Sequence, residues 1–252
     1  MIASPCSPLV ARLHPSPNTE QRRGGAKPDI LLLHYTGMAS FARAVDWLAR
    51  PESRVSCHYV VDVDGTIVQM VAEADRAWHA GVSCWAGETD VNSLSIGIEI
   101  HNPGHDLGYP DFPALQMMAV AALCRDIAAR WHIPAHRILA HSDVAPARKI
   151  DPGEKFDWAW LAANGVGHWV EPAPEYRAPA IPTIAAVSPP DPIRRAQDLL
   201  RRYGYAIDPT GEADPWTGTV LKAFQRHFRP ARIDGVLDSS TLDTLERLVA
   251  SV

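Results

Sequence analysis

The chain has 252 residues, room for one large domain or one plus a small second. Hydrophobic residues make up 46% and charged residues 21%, ordinary globular usage that excludes wholesale disorder, collagen and coiled coil. A net charge of −5 speaks against a nucleic-acid partner, because phosphate binding needs a basic surface.

Met1 to Gly25 is punctuated by Pro5, Pro8, Pro15 and Pro17 and reads as an N-terminal extension, residues 1–27. It lacks a basic segment followed by an apolar one, so no export signal is expected, and Cys6 after Ala3-Ser4-Pro5 is a poor lipidation site. No apolar run approaches the ~20 residues of a membrane span. The four Cys (Cys6, Cys57, Cys84, Cys124) show no CxxC spacing, and a reduced, cytoplasmic compartment is the expectation, with a periplasmic or outer-membrane-associated form as the alternative.

Asp29 to Tyr35 is a short apolar run and reads as a buried strand. Ser40 is placed to cap a helix from Phe41 to Arg50, stopped by Pro51, with Phe41, Ala44, Val45 and Leu48 as its apolar stripe. Ser56 to Val71 reads as a hairpin around Asp64-Gly65, and Leu94 to Ile100 as another strand. Pro113 opens the longest helix, to near Trp131, with Leu115, Met118, Ala122, Leu123 and Ile127 along one side. Arg137 to His141 is a further short strand. Strands interleaved with helices predict an α/β domain over residues 28–164, a mixed central sheet flanked by helices. A Pro-rich linker follows over 165–190. Residues 191–252 form a small three-helix domain, with helices around Ala196 to Tyr203, Thr219 to Phe228 and Ser240 to Val249. Roughly 60 residues is marginal for an independent fold, so docking onto the first domain is expected.

Eleven His direct attention to a metal or acid–base site. Three segments each place a metal-type ligand at the C-terminal end of a predicted strand: Leu31-Leu32-Leu33-His34, Ile138-Leu139-Ala140-His141, and Arg148-Lys149-Ile150-Asp151. Two imidazoles and a carboxylate leave a fourth tetrahedral position open, the pattern of catalytic zinc. Glu99 lies within the apolar strand Ser95-Ile-Gly-Ile-Glu99-Ile, where a carboxylate is costly to bury without a function. Lys149 stands two residues before the third ligand, placed to stabilise an oxyanion. Spacing alone does not show that His34 and His141 meet.

The chain resembles the type 2 N-acetylmuramoyl-L-alanine amidases of the AmpD/AmiD group. The matching strings are Leu33-His34-Tyr35-Thr36, Ser56-Cys57-His58-Tyr59, Asp64-Gly65-Thr66-Ile67-Val68-Gln69, Ala77-Trp78-His79-Ala80-Gly81, Asn92-Ser93-Leu94-Ser95-Ile96-Gly97-Ile98-Glu99, and Ala140-His141-Ser142-Asp143 running on to Asp151-Pro152-Gly153. They span about residues 28 to 160 in family order. The resemblance implies one Zn2+ per chain, bound by His34, His141 and Asp151. It implies that Glu99 activates water and that Lys149 steadies the tetrahedral intermediate. The bond cleaved would join the lactyl group of N-acetylmuramic acid to L-alanine of a stem peptide, in a muropeptide or in peptidoglycan. Cys57 stands where some phage relatives carry a catalytic Tyr, which supports the Glu99 route.

Four further residues are candidate substrate contacts, each with a plainer alternative. His79 contacts substrate or fixes its loop. Trp85 stacks on a sugar or covers the core. Asn102 contacts the stem peptide or holds a turn. Arg148 pairs with a stem-peptide carboxylate or makes a surface ion pair.

Residues 191 to 250 resemble the peptidoglycan-binding type 1 module through Ala196-Gln197-Asp198-Leu199-Leu200, Tyr203-Gly204-Tyr205, Val220 to Phe228 and Ile233 to Asp238. Asp214-Pro215-Trp216-Thr217-Gly218 departs from the module's usual entry, which sets packing against the catalytic domain beside glycan binding as its role. The arrangement is nearer the AmiD branch than the shorter AmpD branch. Oligomeric state is not read from any feature. The competing reading is a peptidoglycan-recognition protein without catalysis, and Glu99→Gln separates the two.

Overall fold

The computed structural model describes residue 2, residues 4–174 and residues 191–252; positions 175–190 of the expected linker lie outside the described residues. Six strands form the main sheet. They are β1 (Arg12–Leu13), β3 (Ile30–Tyr35), β4 (Tyr59–Val61), β5 (Ile67–Gln69), β7 (Ser95–Ile100) and β8 (Ile138–Ala140), in the order β1-β5-β4-β7-β3-β8. All pairs are parallel except β4 with β5. That antiparallel pair is the expected hairpin. Gly65 supplies its positive φ of 86°, which favours Gly there.

The N-terminal segment is not a loose extension. Besides β1, it supplies β2 (Thr19–Gln21), paired with β6 (Asp75–Ala77). Between β2 and β3 the buried Arg22 donates to the carbonyls of Glu73 (2.8 Å), Ser93 (2.9 Å) and Ser95 (3.0 Å).

Strand alternation sorts the sheet into two faces. On one face, Leu31, Leu33, Ile96, Ile98 and Ile100 pack against α3 (Ala114–Trp131). The predicted stripe of α3 needs correcting. Leu115 and Met118 are 62% and 56% exposed, while Met117, Val120, Ala121, Cys124 and Ile127 are buried. Apolar residues occur all round this helix, so composition did not single out the buried face.

On the other face, α1 (Phe41–Leu48) covers Val60, Val68 and Met70, with Ser40 capping its first turn. Beside it, Ile30, Leu32 and Leu139 share one core with Leu200, Tyr205, Phe224, Phe228 and Leu245 of the C-terminal helices. Those helices are α6 (Pro192–Tyr203), α7 (Pro215–Phe228) and α8 (Ser239–Ala250). They start earlier than expected because Asp191-Pro192 and Asp214-Pro215 are each a capping Asp followed by a Pro in the first turn. Short helices α2 (Val91–Leu94), α4 (His141–Val144) and α5 (Trp158–Ala163) complete the set. Among the described residues no helix is long and apolar enough to cross a membrane.

Candidate active site

His34 lies on β3 and Glu99 on β7, directly opposite in the parallel register and on the face shared with α1 and the C-terminal helices. His141 starts α4, one residue beyond β8. Asp151 sits on the loop after α4 rather than at the end of a strand, a departure from the sequence expectation. Its carbonyl accepts from Ser142 N at 3.1 Å, which folds the loop back under His141. Three buried atoms converge: His34 Nδ1 and His141 Nδ1 at 2.8 Å, with Asp151 Oδ2 at 3.2 Å and 3.0 Å from them. A tetrahedral zinc with ligand bonds of 2.0–2.2 Å has ligand–ligand edges of roughly 3.3–3.6 Å. The observed triangle is slightly tighter than that, so the donor set fits one such ion.

Hydrogen bonds fix which nitrogen of each imidazole is bare. His141 Nε2 is 3.1 Å from the carbonyl of Ala80, which can only accept, so Nε2 carries the hydrogen and Nδ1 presents its lone pair. The same logic runs through a longer chain to His34. Ser95 Oγ gives its only hydrogen to Val91 O at 2.6 Å, so it accepts from His79 Nε2 at 3.3 Å. His79 Nδ1 then accepts from His34 Nε2 at 3.0 Å, and His34 Nδ1 is left bare. Gly97 makes room for this chain, since a Cβ there would lie 2.5 Å from the His79 ring.

Burial, then the neighbouring His141, pushes the His34 pKa down to about 4, so this ring is neutral and ready to ligate near pH 7. Burial alone would raise Asp151; protons on the facing His141 and His34 nitrogens, or a cation in their place, hold it well below the usual carboxylate range. Glu99 is pushed well above its ordinary value by burial and then by the Asp151 charge, with Lys149 opposing. Its Oε2 is buried with no hydrogen-bond partner among the described residues.

A cavity of about 550 Å³ opens over these atoms, lined by Tyr35, Trp47, Trp78, His79, Glu99 and Lys149 among others. Among the described residues no ion pair engages Lys149. Trp47 and Trp78 were not singled out from the sequence. Trp47, 43% exposed, lies off the apolar stripe of α1, the one signal that marked it. His79 lines the cavity with both ring nitrogens already engaged, so no nitrogen is spare for substrate. Arg148 reaches the rim, but its guanidinium donates to the carbonyls of Ala80 (2.5 Å) and Val82 (2.9 Å) and ties down that loop.

Two candidate contacts take their plainer alternative. Trp85 is buried, not on the cavity wall, with its ring 4.9 Å from Tyr205 and 6.0 Å from Tyr203 of the C-terminal helical unit. It covers the core because residues far along the chain close over it. Asn102 is also buried and holds a turn: Oδ1 accepts from Gly104 N and Nδ2 donates to Pro110 O, both at 2.9 Å. Cys57 is buried too, its thiol directed at Tyr59 O, as suits a core cysteine.

Residues 24–154 match the N-acetylmuramoyl-L-alanine amidase family. AmiD of Escherichia coli K12 is 36% identical over 249 residues, 92% of this chain and 87% of that protein. The chain belongs to the N-acetylmuramoyl-L-alanine amidase family. A solved structure of E. coli AmiD with the substrate anhydro-N-acetylmuramic acid-L-Ala-D-gamma-Glu-L-Lys superposes on this amidase with a TM-score of 0.75, at 34% identity, covering 92% of this chain and 93% of that one. AmpDH3 of Pseudomonas aeruginosa, solved in complex with anhydromuramic pentapeptide, gives 0.73 at 32% identity, covering 92% and 95%. AmpD of Citrobacter freundii is 36% identical over 171 residues, 61% of this chain and 89% of AmpD. Residues 190–245 of the amidase match a family of domains described as peptidoglycan-binding.

Proposed function

We propose that this amidase hydrolyses the amide between the lactyl group of (1,6-anhydro-)N-acetylmuramic acid and L-alanine of the stem peptide, with one zinc ion held by His34, His141 and Asp151. The observation that carries the reading is the meeting of two imidazole lone pairs and a carboxylate oxygen beside a glutamate whose buried Oε2 has no partner among the described residues. Zinc bound there supplies a Lewis acid that acidifies water and polarises the scissile carbonyl. Glu99 takes the proton from the attacking water as the new C–O bond forms. The Lys149 ammonium donates to the carbonyl oxygen as it gains negative charge. Glu99 then passes its proton to the nitrogen of L-alanine, the C–N bond breaks, and a lactyl carboxylate and a free stem peptide leave. The raised proton affinity of Glu99 suits both halves of that cycle. The ligands in the AmiD and AmpDH3 complexes support an anhydro-muropeptide substrate.

The test is release of free peptide from an anhydro-muramoyl tripeptide, followed by mass spectrometry, with intact sacculi assayed alongside. Activity should vanish on chelator treatment and return with zinc. Retention of full activity after verified metal removal would overturn the metal-centre reading. Absence of release from both substrates by the zinc-loaded protein would leave a recognition protein instead.

A further inference from the structure

The C-terminal helices do more than cover apolar surface. Asp143 lies in α4, two residues after His141, and is 1% exposed. Its Oδ2 accepts from Ala140 N at 2.8 Å and from His227 Nδ1 at 2.7 Å, and its Oδ1 accepts from the Tyr205 hydroxyl at 2.7 Å. Two of these three donors come from the C-terminal unit. Both are held firmly. The His227 ring stacks on Trp158 with centroids 3.8 Å apart, and Tyr205 packs on Trp85. The backbone approach is equally close. Gly204 has φ +138°, and a Cβ there would lie 2.4 Å from the Trp85 indole. Ala86 N donates to Gly204 O at 2.7 Å.

A carboxylate taken out of water persists only where donors replace its hydration. Without Tyr205 and His227, Asp143 would keep a single backbone donor, and α4 is too short to hold its shape by itself. That turn positions two of the three converging groups, since it carries His141 and its Ser142 N holds the Asp151 carbonyl. A module that only delivered the enzyme to a polymer would need no buried hydrogen bonds to the active-site turn.

We infer that Tyr205 and His227 are positioning residues for the metal site, acting through Asp143, so that the C-terminal helices are a permanent part of the catalytic centre. This rests on His34, His141 and Asp151 being that centre. The experiment measures zinc dissociation constants by chelator competition on the full chain, for wild type, His34→Ala, Tyr205→Phe, His227→Leu, His227→Asn and Leu248→Ala. Hydrogen exchange of the 140–144 segment in the metal-free proteins is measured in parallel. His34→Ala should lose tight binding, which establishes the centre. Tyr205→Phe and His227→Leu should each weaken zinc about tenfold, the low end for groups that orient metal ligands, and speed exchange in 140–144. His227→Asn, with an amide NH near the position of Nδ1, should recover most of the loss. Leu248→Ala should lower the melting temperature and leave zinc affinity unchanged, because Leu248 is buried among the C-terminal helices. Zinc constants for Tyr205→Phe and His227→Leu within twofold of wild type, with unchanged exchange, would overturn the inference. So would an equal loss in Leu248→Ala. If His34→Ala binds zinc as well as wild type, the metal-centre reading falls first and takes this inference with it. Should His227→Leu fail to fold, Tyr205→Phe decides, since it removes one oxygen and keeps the ring on Trp85.

Discussion

Replacing Glu99 by Gln should raise stability while abolishing turnover. The carboxyl lies on β7 at the cavity wall, with Oε2 buried and unpartnered among the described residues. Burial, then the charge of Asp151, pushes its pKa well above the ordinary 4.5. A group whose pKa is raised on folding contributes stability that is complete below its unfolded value and lost as pH climbs through its folded value. The metal-free wild type should therefore weaken as pH climbs above 4.5 by this route, and the Gln variant should not. The Gln amide stays buried there too, so the gain is the extra cost of a charged over a neutral unsatisfied group, on the order of 1–3 kcal/mol. In a chain of this size that corresponds to a melting-temperature gain of roughly 2–12 °C for Glu99→Gln at pH 8, shrinking towards zero at pH 4.5. Loss of the general base should lower kcat by about 10²–10⁴. Scanning fluorimetry in chelator at both pH values, with turnover of the zinc-loaded protein, checks the pair of effects. A Gln variant that melts at or below wild type at pH 8, or that keeps kcat within tenfold, would refute the reasoning.

His79→Ala should weaken zinc binding about 10–100-fold by releasing the His34 ring, and Gly97→Ala should mimic it by displacing His79; equilibrium dialysis against a chelator would show either. Lys149→Met keeps the length of the side chain and removes its charge, so kcat should fall about 10²–10³ with KM little changed, as for loss of an oxyanion donor; steady-state kinetics on the anhydro-muramoyl tripeptide measures it. Trp47→Ala should raise KM about tenfold, equivalent to about 1.4 kcal/mol, and leave kcat near wild type.

The parts of the fold that the sequence made legible are those whose burial is one-sided or complete. β3 is buried through Ile30-Leu-Leu-Leu-His34, and a parallel strand covered on both faces reads as an unbroken apolar run. α3 illustrates the opposite case, because Leu115 and Met118 are apolar yet face solvent and periodicity has no means of rejecting them. The converging residues His34, His141 and Asp151 were legible as ligand types within motifs, and their meeting was not, since it depends on β8 pairing beside β3 and on a loop fold. Trp85 stayed between two readings for a related reason. The groups that bury it are Tyr203, Gly204 and Tyr205, more than a hundred positions away, and no local pattern announces them. The Ala80 carbonyl, which sets the His141 tautomer, is backbone and leaves no trace in residue identity.

Alternation within β7 ties stability to chemistry. Ile96, Ile98 and Ile100 point to α3 and bury against it, while Ser95, Gly97 and Glu99 point to the opposite face. Ser95 anchors His79, Gly97 gives its ring space, and Glu99 enters the cavity beside His34. A one-residue slip in register would exchange the two sets. It would bury a carboxylate against α3 and empty the site in one movement. The apolar half of the strand therefore does more than stabilise the sheet. Its packing against α3 selects the register in which Glu99 stands opposite His34. The C-terminal helices act on the same face from the β8 side, where they bury Leu139 and hold Asp143. Two independent packing surfaces, α3 behind the sheet and the C-terminal helices beside the site, thus fix the base and the His141 turn from opposite directions.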